Sequence, residues 1–165
     1  MTNNWPLQSD AARFYGVVGS IPAQLANVPF PFPVFFGAYH VRSCQIHKKC
    51  ALSLARVFSS IAQTYDCGAN PSDAARAKMQ RDGVSQYDGT YALRNKVGGS
   101  TLSMHAYGCA IDFDAAHNPR GKQGRFKADS AIVKCFEAEG WIWGGHWHND
   151  TCDPMHFQAA REGFA

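Results

Sequence analysis

Two imidazoles and a carboxylate stand in this sequence at a spacing that suits a metal ion. The run Ser103-Met104-His105-Ala106-Tyr107-Gly108-Cys109-Ala110-Ile111-Asp112 supplies His105 and Asp112. Asp153-Pro154-Met155-His156 supplies His156, with a spare carboxylate three residues before it. Three protein ligands leave one corner of a tetrahedral zinc open to water, the layout of a catalytic rather than a structural site. A carboxylate beside that corner, Asp153, is the natural general base for the water. Asp112 lies among Ala110, Ile111 and Phe113, where a bare carboxylate is costly unless a cation compensates it. The expected cofactor is one Zn2+ per chain.

Other polar residues compete for the same chemistry. Asp114 alternates onto the face of Asp112 if the strand continues, and is expected as an outlying or surface acid. His146 and His148, in Gly144-Gly145-His146-Trp147-His148, place both rings on one strand face and can bind metal. Adding them to the three ligands would close the open corner, so they are read as lining the cleft or the surface. Ser103 can hydrogen-bond a ligand or the substrate, and Tyr107 either lines the cleft or packs. Asp150 is the local rival to Asp153. Cys152 adjoins the base, while His40, His47 and His117 have no partner pattern.

These groups need rigid elements to hold them. Apolar residues at helical spacing over Ile46–Tyr65 predict an amphipathic helix. Asn70-Pro71 followed by Ser72-Asp73 reads as cap, first-turn proline and acidic first turn of a second helix, stopped by Gly83. A third is expected from Ala128 to Glu139, ending at Gly140. Strands are predicted over Tyr87–Arg94, Cys109–Asp114, Trp141–Trp143 and Met155–Gln158, with Met155 and Phe157 facing away from His156. The fold class is α+β: a small, mostly antiparallel sheet backed by about three helices, with the ligands on one sheet face. Residues 1–165 form one domain, and the first 45 or so form a Pro/Phe-rich strap. Its centre, Val28-Pro29-Phe30-Pro31-Phe32-Pro33-Val34-Phe35-Phe36, favours an extended conformation packed across the domain.

Composition bounds the partners. At 165 residues and 45 % hydrophobic content, one core is affordable. The net charge of +3 is not gathered into a basic stripe, which argues against nucleic acid. No apolar run approaches the roughly 20 residues of a membrane span. The start Met1-Thr2-Asn3-Asn4-Trp5-Pro6 lacks a basic and apolar leader, so synthesis in the cytoplasm is expected. In that reducing setting the 6 cysteines are expected as free thiols.

The pattern Ser-x-His-x-x-Gly-x-Ala-x-Asp, then Asp-x-x-His-Phe, resembles the M15 metallopeptidases. These comprise D-Ala-D-Ala carboxypeptidases and dipeptidases and the phage L-alanyl-D-glutamate endopeptidases. Ser103, His105, Gly108, Ala110 and Asp112 all match, as do Tyr91-x-x-Arg94, the Gly98-Gly99-Ser100 turn and Gly140-Trp141-Ile142-Trp143-Gly144-Gly145. The likeness covers the C-terminal half well and the first 45 residues loosely. It implies zinc on His105, Asp112 and His156, Asp153 as base, and Arg94 as the cation that stabilises the oxyanion. Some family members carry Glu as base; Asp is the choice of the phage endopeptidases. The implied activity is cleavage of a peptidoglycan stem-peptide bond, L-Ala–D-Glu, by a monomeric phage or prophage lysin. Such an enzyme is released to the wall with the help of a holin and is antimicrobial in effect. A D-Ala-D-Ala carboxypeptidase is the near alternative. A non-catalytic wall-binding or virion protein that keeps the fold is the alternative from another class.

Overall fold

The computed structural model describes residues 3–68 and 70–163. A one-turn helix α1 (Ala11–Tyr15), between short 3-10 turns, leads into strands β1 (Leu25–Phe36) and β2 (Tyr39–His47). Helices α2 (Lys48–Thr64) and α3 (Asp73–Arg81) follow, then β3 (Tyr87–Gly89), a 3-10 turn at Met104–Tyr107 and β4 (Ala110–Phe113). Helix α4 (Ala131–Ala138), β5 (Ile142–Trp143) and β6 (His156–Gln158) complete the chain. The sheet of order β3-β4-β6-β5 is antiparallel throughout, and β1 and β2 form a separate antiparallel hairpin. The fold is α+β, as the periodicities indicate.

Local chemistry fixes the helix ends. The His47 side chain, not Ile46, opens α2, accepting from the Lys49 N–H at 3.1 Å. For α3 the N-cap is Ser72, whose Oγ accepts from Ala75 N–H, so Pro71 precedes the helix instead of starting it. Gly83 (φ +79°) and Gly140 (φ +78°) close α3 and α4 in the left-handed conformation. Val84 N–H then reaches the Met79 carbonyl, and Trp141 N–H the Phe136 carbonyl.

The Pro/Phe segment is extended, as its composition suggests, but it is a strand, not a lone strap. Between Pro29↔Ser43 and Val34↔Val41 its register shifts, so Phe30–Pro33 arch out opposite Arg42. Three prolines cannot donate to a ladder, and the bulge takes up that defect. Phe30 and Phe32 pack on Phe58 of α2, with ring centroids 4.8 and 6.0 Å apart. Residues 8–24, within the expected strap, instead form short helical turns. All six cysteines are buried and unbridged; burial pushes the Cys44 and Cys50 thiols up to about 12.

The sheet is two-faced. Ile111, Phe113 and Phe157 are fully buried on one side, where Phe157 stacks on Phe136 of α4 at 4.2 Å. Alternation puts Asp112, His156 and Gln158 on the other. Between His105 and β4, Gly108 turns the chain at φ +63°, and its carbonyl accepts from His47 N–H at 2.6 Å. A Cβ there would stand 2.7 Å from Leu25 Cδ2 and 3.3 Å from His47 N. Gly108→Ala adds left-handed strain to overpacking, so a loss of about 2–4 kcal/mol is expected. Urea unfolding checks this: the midpoint falls clearly below wild type.

Candidate metal centre

Three elements deliver the cluster. Ser103 caps the 3-10 turn, its Oγ facing His105 N–H at 3.4 Å, so this serine positions the first histidine. Asp112 and His156 are direct cross-strand partners on β4 and β6. Asp153 C=O accepts from His156 N–H at 3.1 Å, closing a turn with Pro154 at its second position. Asp153 is thus both turn former and neighbour of the cluster.

His105, Asp112 and His156 are buried, and each offers one ligand atom within 4.8 Å of the others. His105 Nε2 lies 3.2 Å from both His156 Nδ1 and Asp112 Oδ1, and His156 Nδ1 lies 3.0 Å from that same oxygen. Ligands about 2.0–2.1 Å from a tetrahedral zinc stand about 3.3 Å apart, so this triangle has nearly the required size.

The outer hydrogen bonds decide where the protons sit. His105 Nδ1 faces the Thr90 carbonyl, which can only accept, so that nitrogen carries the hydrogen. Gln158 Nε2 donates to the Ala160 carbonyl at 2.7 Å, which turns its Oε1 to His156 Nε2 at 3.1 Å. His156 therefore holds its hydrogen outward on Nε2. With neutral rings, two nitrogen lone pairs and a carboxylate converge with no proton between them. A cation resolves that repulsion, and this donor set suits zinc.

Without a cation the cluster must find its charge elsewhere. Burial pulls His156 down, but Asp112, hydrogen-bonded beside it, outweighs burial and holds His156 above its ordinary 6.5. Burial alone would raise Asp112; the two imidazoles overcome it and hold the carboxyl well below its usual range. Burial raises Asp153, against the pull of His156 and Arg120.

A cavity of about 230 Å³ opens beside the triangle. Arg94, Ser103, Asp112, Asp153 and His156 line it, which brings most of the sequence-derived candidates together. Tyr107 does not; it packs in the core. His146 and His148 are exposed and outside the lining, with His146 bonded to Glu137 at 2.7 Å. Asp150 is exposed. Cys152 is buried with Sγ 3.6 Å from the Lys122 carbonyl, not among the ligands.

Asp114 corrects the alternation argument. The strand ends at Phe113, and Asp114, at φ +50°, turns away to pair with Arg125 at 3.0 Å and His117 at 2.7 Å. It is buried and neither shares the face of Asp112 nor lies at the surface. Met155 also departs from the reading, lining the cavity because it sits in the turn ahead of β6. Thr90, Trp147, Lys96 and Arg120 were missed. Gln158 was missed too, although period-two alternation from His156 could have found it.

A family model described as D-alanyl-D-alanine carboxypeptidase, one of the M15 peptidases, matches residues 97–159, less than half of the chain. The match supports the M15 peptidase family. It spans all three ligand candidates and Asp153, and stops short of Arg94. No curated protein and no solved structure matches the chain. M15 peptidases are generally zinc-dependent, in keeping with the donor triangle.

Two outcomes follow from this geometry. Gln158→Leu frees the His156 ring and is expected to weaken zinc binding roughly 10–100-fold, read by competition with a chromophoric chelator. The second concerns pH. His156 is raised in the metal-free protein, so its stabilisation is full below 6.5 and fades as pH climbs through the folded value. Zinc must displace that proton, so the rise in melting temperature on adding zinc is expected to be larger at pH 8 than at pH 6. Differential scanning calorimetry at the two pH values checks it.

Proposed function

We propose that this chain is a zinc peptidase that cuts the peptidoglycan stem peptide between L-Ala and D-Glu. The observation that carries the reading is the His105–Asp112–His156 donor triangle with a half-buried carboxylate, Asp153, on the same cavity wall. His105, Asp112 and His156 would hold zinc, which when bound would supply Lewis acidity toward water and toward a carbonyl oxygen. Asp153 takes the proton from the attacking water and returns it to the departing amine. Its Oδ1 is buried with no hydrogen-bond partner, so an acceptor is free for that task. Among the described residues no side-chain hydrogen bond or ion pair engages Arg94, and its guanidinium serves as donor to the carbonyl oxygen as charge builds there. Trp147 walls the cavity with its ring 5.5 Å from His156, narrowing water access.

The choice of bond is supported by Asp as base and by Tyr91-x-x-Arg94, both features that the chain shares with the phage endopeptidases it resembles. A phage-type lysin acting on the wall after release is the matching role. The second reading, a D-Ala-D-Ala carboxypeptidase, has the description of the matching family model in its favour. Digesting purified peptidoglycan with the zinc-loaded protein separates them by mass spectrometry. New D-Glu amino termini are expected; free D-Ala without them favours the carboxypeptidase. No cleavage at all favours a non-catalytic wall-binding protein.

Asp153→Asn keeps size and polarity but cannot accept the proton. Zinc content is expected to stay near wild type while turnover falls about a hundredfold or more. Asp150→Asn, outside the cavity, is expected to be mild. A crippling Asp150 change beside a harmless Asp153 change would refute the assignment.

A further inference from the structure

Arg120 follows Asn118-Pro119 in the loop that leaves β4 and lines the same cavity as Asp153. The loop is fastened at its root, where Asn118 Nδ2 donates to the Asp114 carbonyl at 2.9 Å and Asn118 Oδ1 accepts from Phe126 N–H at 2.7 Å. It is fastened again to the segment that carries the base. Gly121 N–H donates to the Cys152 carbonyl at 2.6 Å, with Cys152 Sγ 3.6 Å from the Lys122 carbonyl. Arg120 is therefore held against Asp153 by the backbone on both sides.

The Arg120 side chain is 32 % exposed, and its Nη1 stands 3.9 Å from Asp153 Oδ2. That distance permits attraction but is too long for a hydrogen bond. No other acceptor engages the guanidinium among the described residues, so its fork of donors is uncommitted. Lys96, another cation of the cavity, is taken by Gln8 Oε1, and Arg94 is assigned to the carbonyl oxygen.

The base passes its proton to the departing nitrogen, so that nitrogen comes within hydrogen-bond reach of Asp153. The α-carbon of the leaving residue is bonded to that nitrogen, and any carboxylate on it lies one bond further on. We infer that Arg120 is a specificity-determining residue that binds the free α-carboxylate of the leaving residue. The inference rests on the peptidase reading above. A glutamyl residue linked onward through its γ-carboxyl keeps its α-carboxylate free, and a terminal D-Ala does the same, so the recognition suits either stem-peptide bond. A planar fork matches a carboxylate bidentately, which an ammonium cannot do.

The test is a cycle of two substrates and three enzymes. L-Ala–γ-D-Glu–L-Lys and its glutamyl α-amide are compared on zinc-loaded wild type, Arg120→Gln and Arg120→Lys. If the wall digest releases D-Ala, the pair becomes D-Ala-D-Ala and its C-terminal amide. Wild type is expected to prefer the carboxylate in kcat/KM by roughly 10–100-fold, the worth of a charged hydrogen bond. That ratio is expected to collapse to within about threefold in Arg120→Gln and to stay partial in Arg120→Lys. A wild-type ratio near one overturns the inference and leaves the peptidase reading intact. So does an Arg120→Gln enzyme that is slower on both substrates with the ratio unchanged, which marks Arg120 as a mere neighbour of the base. Failure of wild type to cut any of these substrates overturns the peptidase reading and the inference with it.

Discussion

Three acceptors face one another at 3.0–3.2 Å with their hydrogens directed elsewhere, and the rest of the site is arranged around that constraint. A carboxylate and two imidazole nitrogens at this distance repel unless a proton or a metal stands between them. The Thr90 carbonyl and the Gln158 amide hold the imidazole hydrogens on the outside. Ala160 in turn holds Gln158. The polarity of the centre is thus set by two backbone carbonyls, Thr90 directly behind His105 and Ala160 behind Gln158, rigid because they belong to the chain itself.

The two-faced sheet makes such a cluster tolerable. On one side Ile111, Phe113 and Phe157 are buried, the two phenylalanines against Phe136 of α4, which removes apolar surface worth about 1.5–3 kcal/mol per side chain from water. That burial offsets the cost of desolvating Asp112, His156 and Gln158 on the other. The β1–β2 hairpin and α2 build the remaining core, with the Phe30–Pro33 arch seated on Phe58. The catalytic candidates themselves sit on short elements: a 3-10 turn, three-to-four-residue strands and a proline turn. Their precision comes from what packs behind them.

Much of this was legible in the sequence, for identifiable reasons. Helices α2 and α4 have a 3.6-residue apolar period, α3 has the Ser72-Asp73 start, and Gly83 and Gly140 stop α3 and α4. The strands β4 and β6 alternate, and the motif spacing gave the triangle and its neighbouring carboxylate. The losses occurred where alternation stops. Asp114 leaves the strand at a positive φ, and Met155 belongs to a turn, so a period of two misplaced both. Arg120 and Trp147 could not be found by spacing, since they reach the cavity through loops whose paths depend on contacts such as Gly121 N–H to Cys152. Thr90 contributes a carbonyl, which no residue type announces. Ser103 and His47 act through caps, a role their side chains permit but their neighbours decide.

Nitrogen-15 NMR of the histidine rings in zinc-loaded protein measures directly where the imidazole protons lie. His105 is expected to bind zinc through Nε2 with its hydrogen on Nδ1, and His156 through Nδ1 with its hydrogen on Nε2. These opposite tautomers would appear as two distinct coupling patterns, both lost in the corresponding alanine variants. Hydrogens found on His105 Nε2 or His156 Nδ1 with zinc bound, or zinc shifts on His146 and His148 instead, would contradict this assignment.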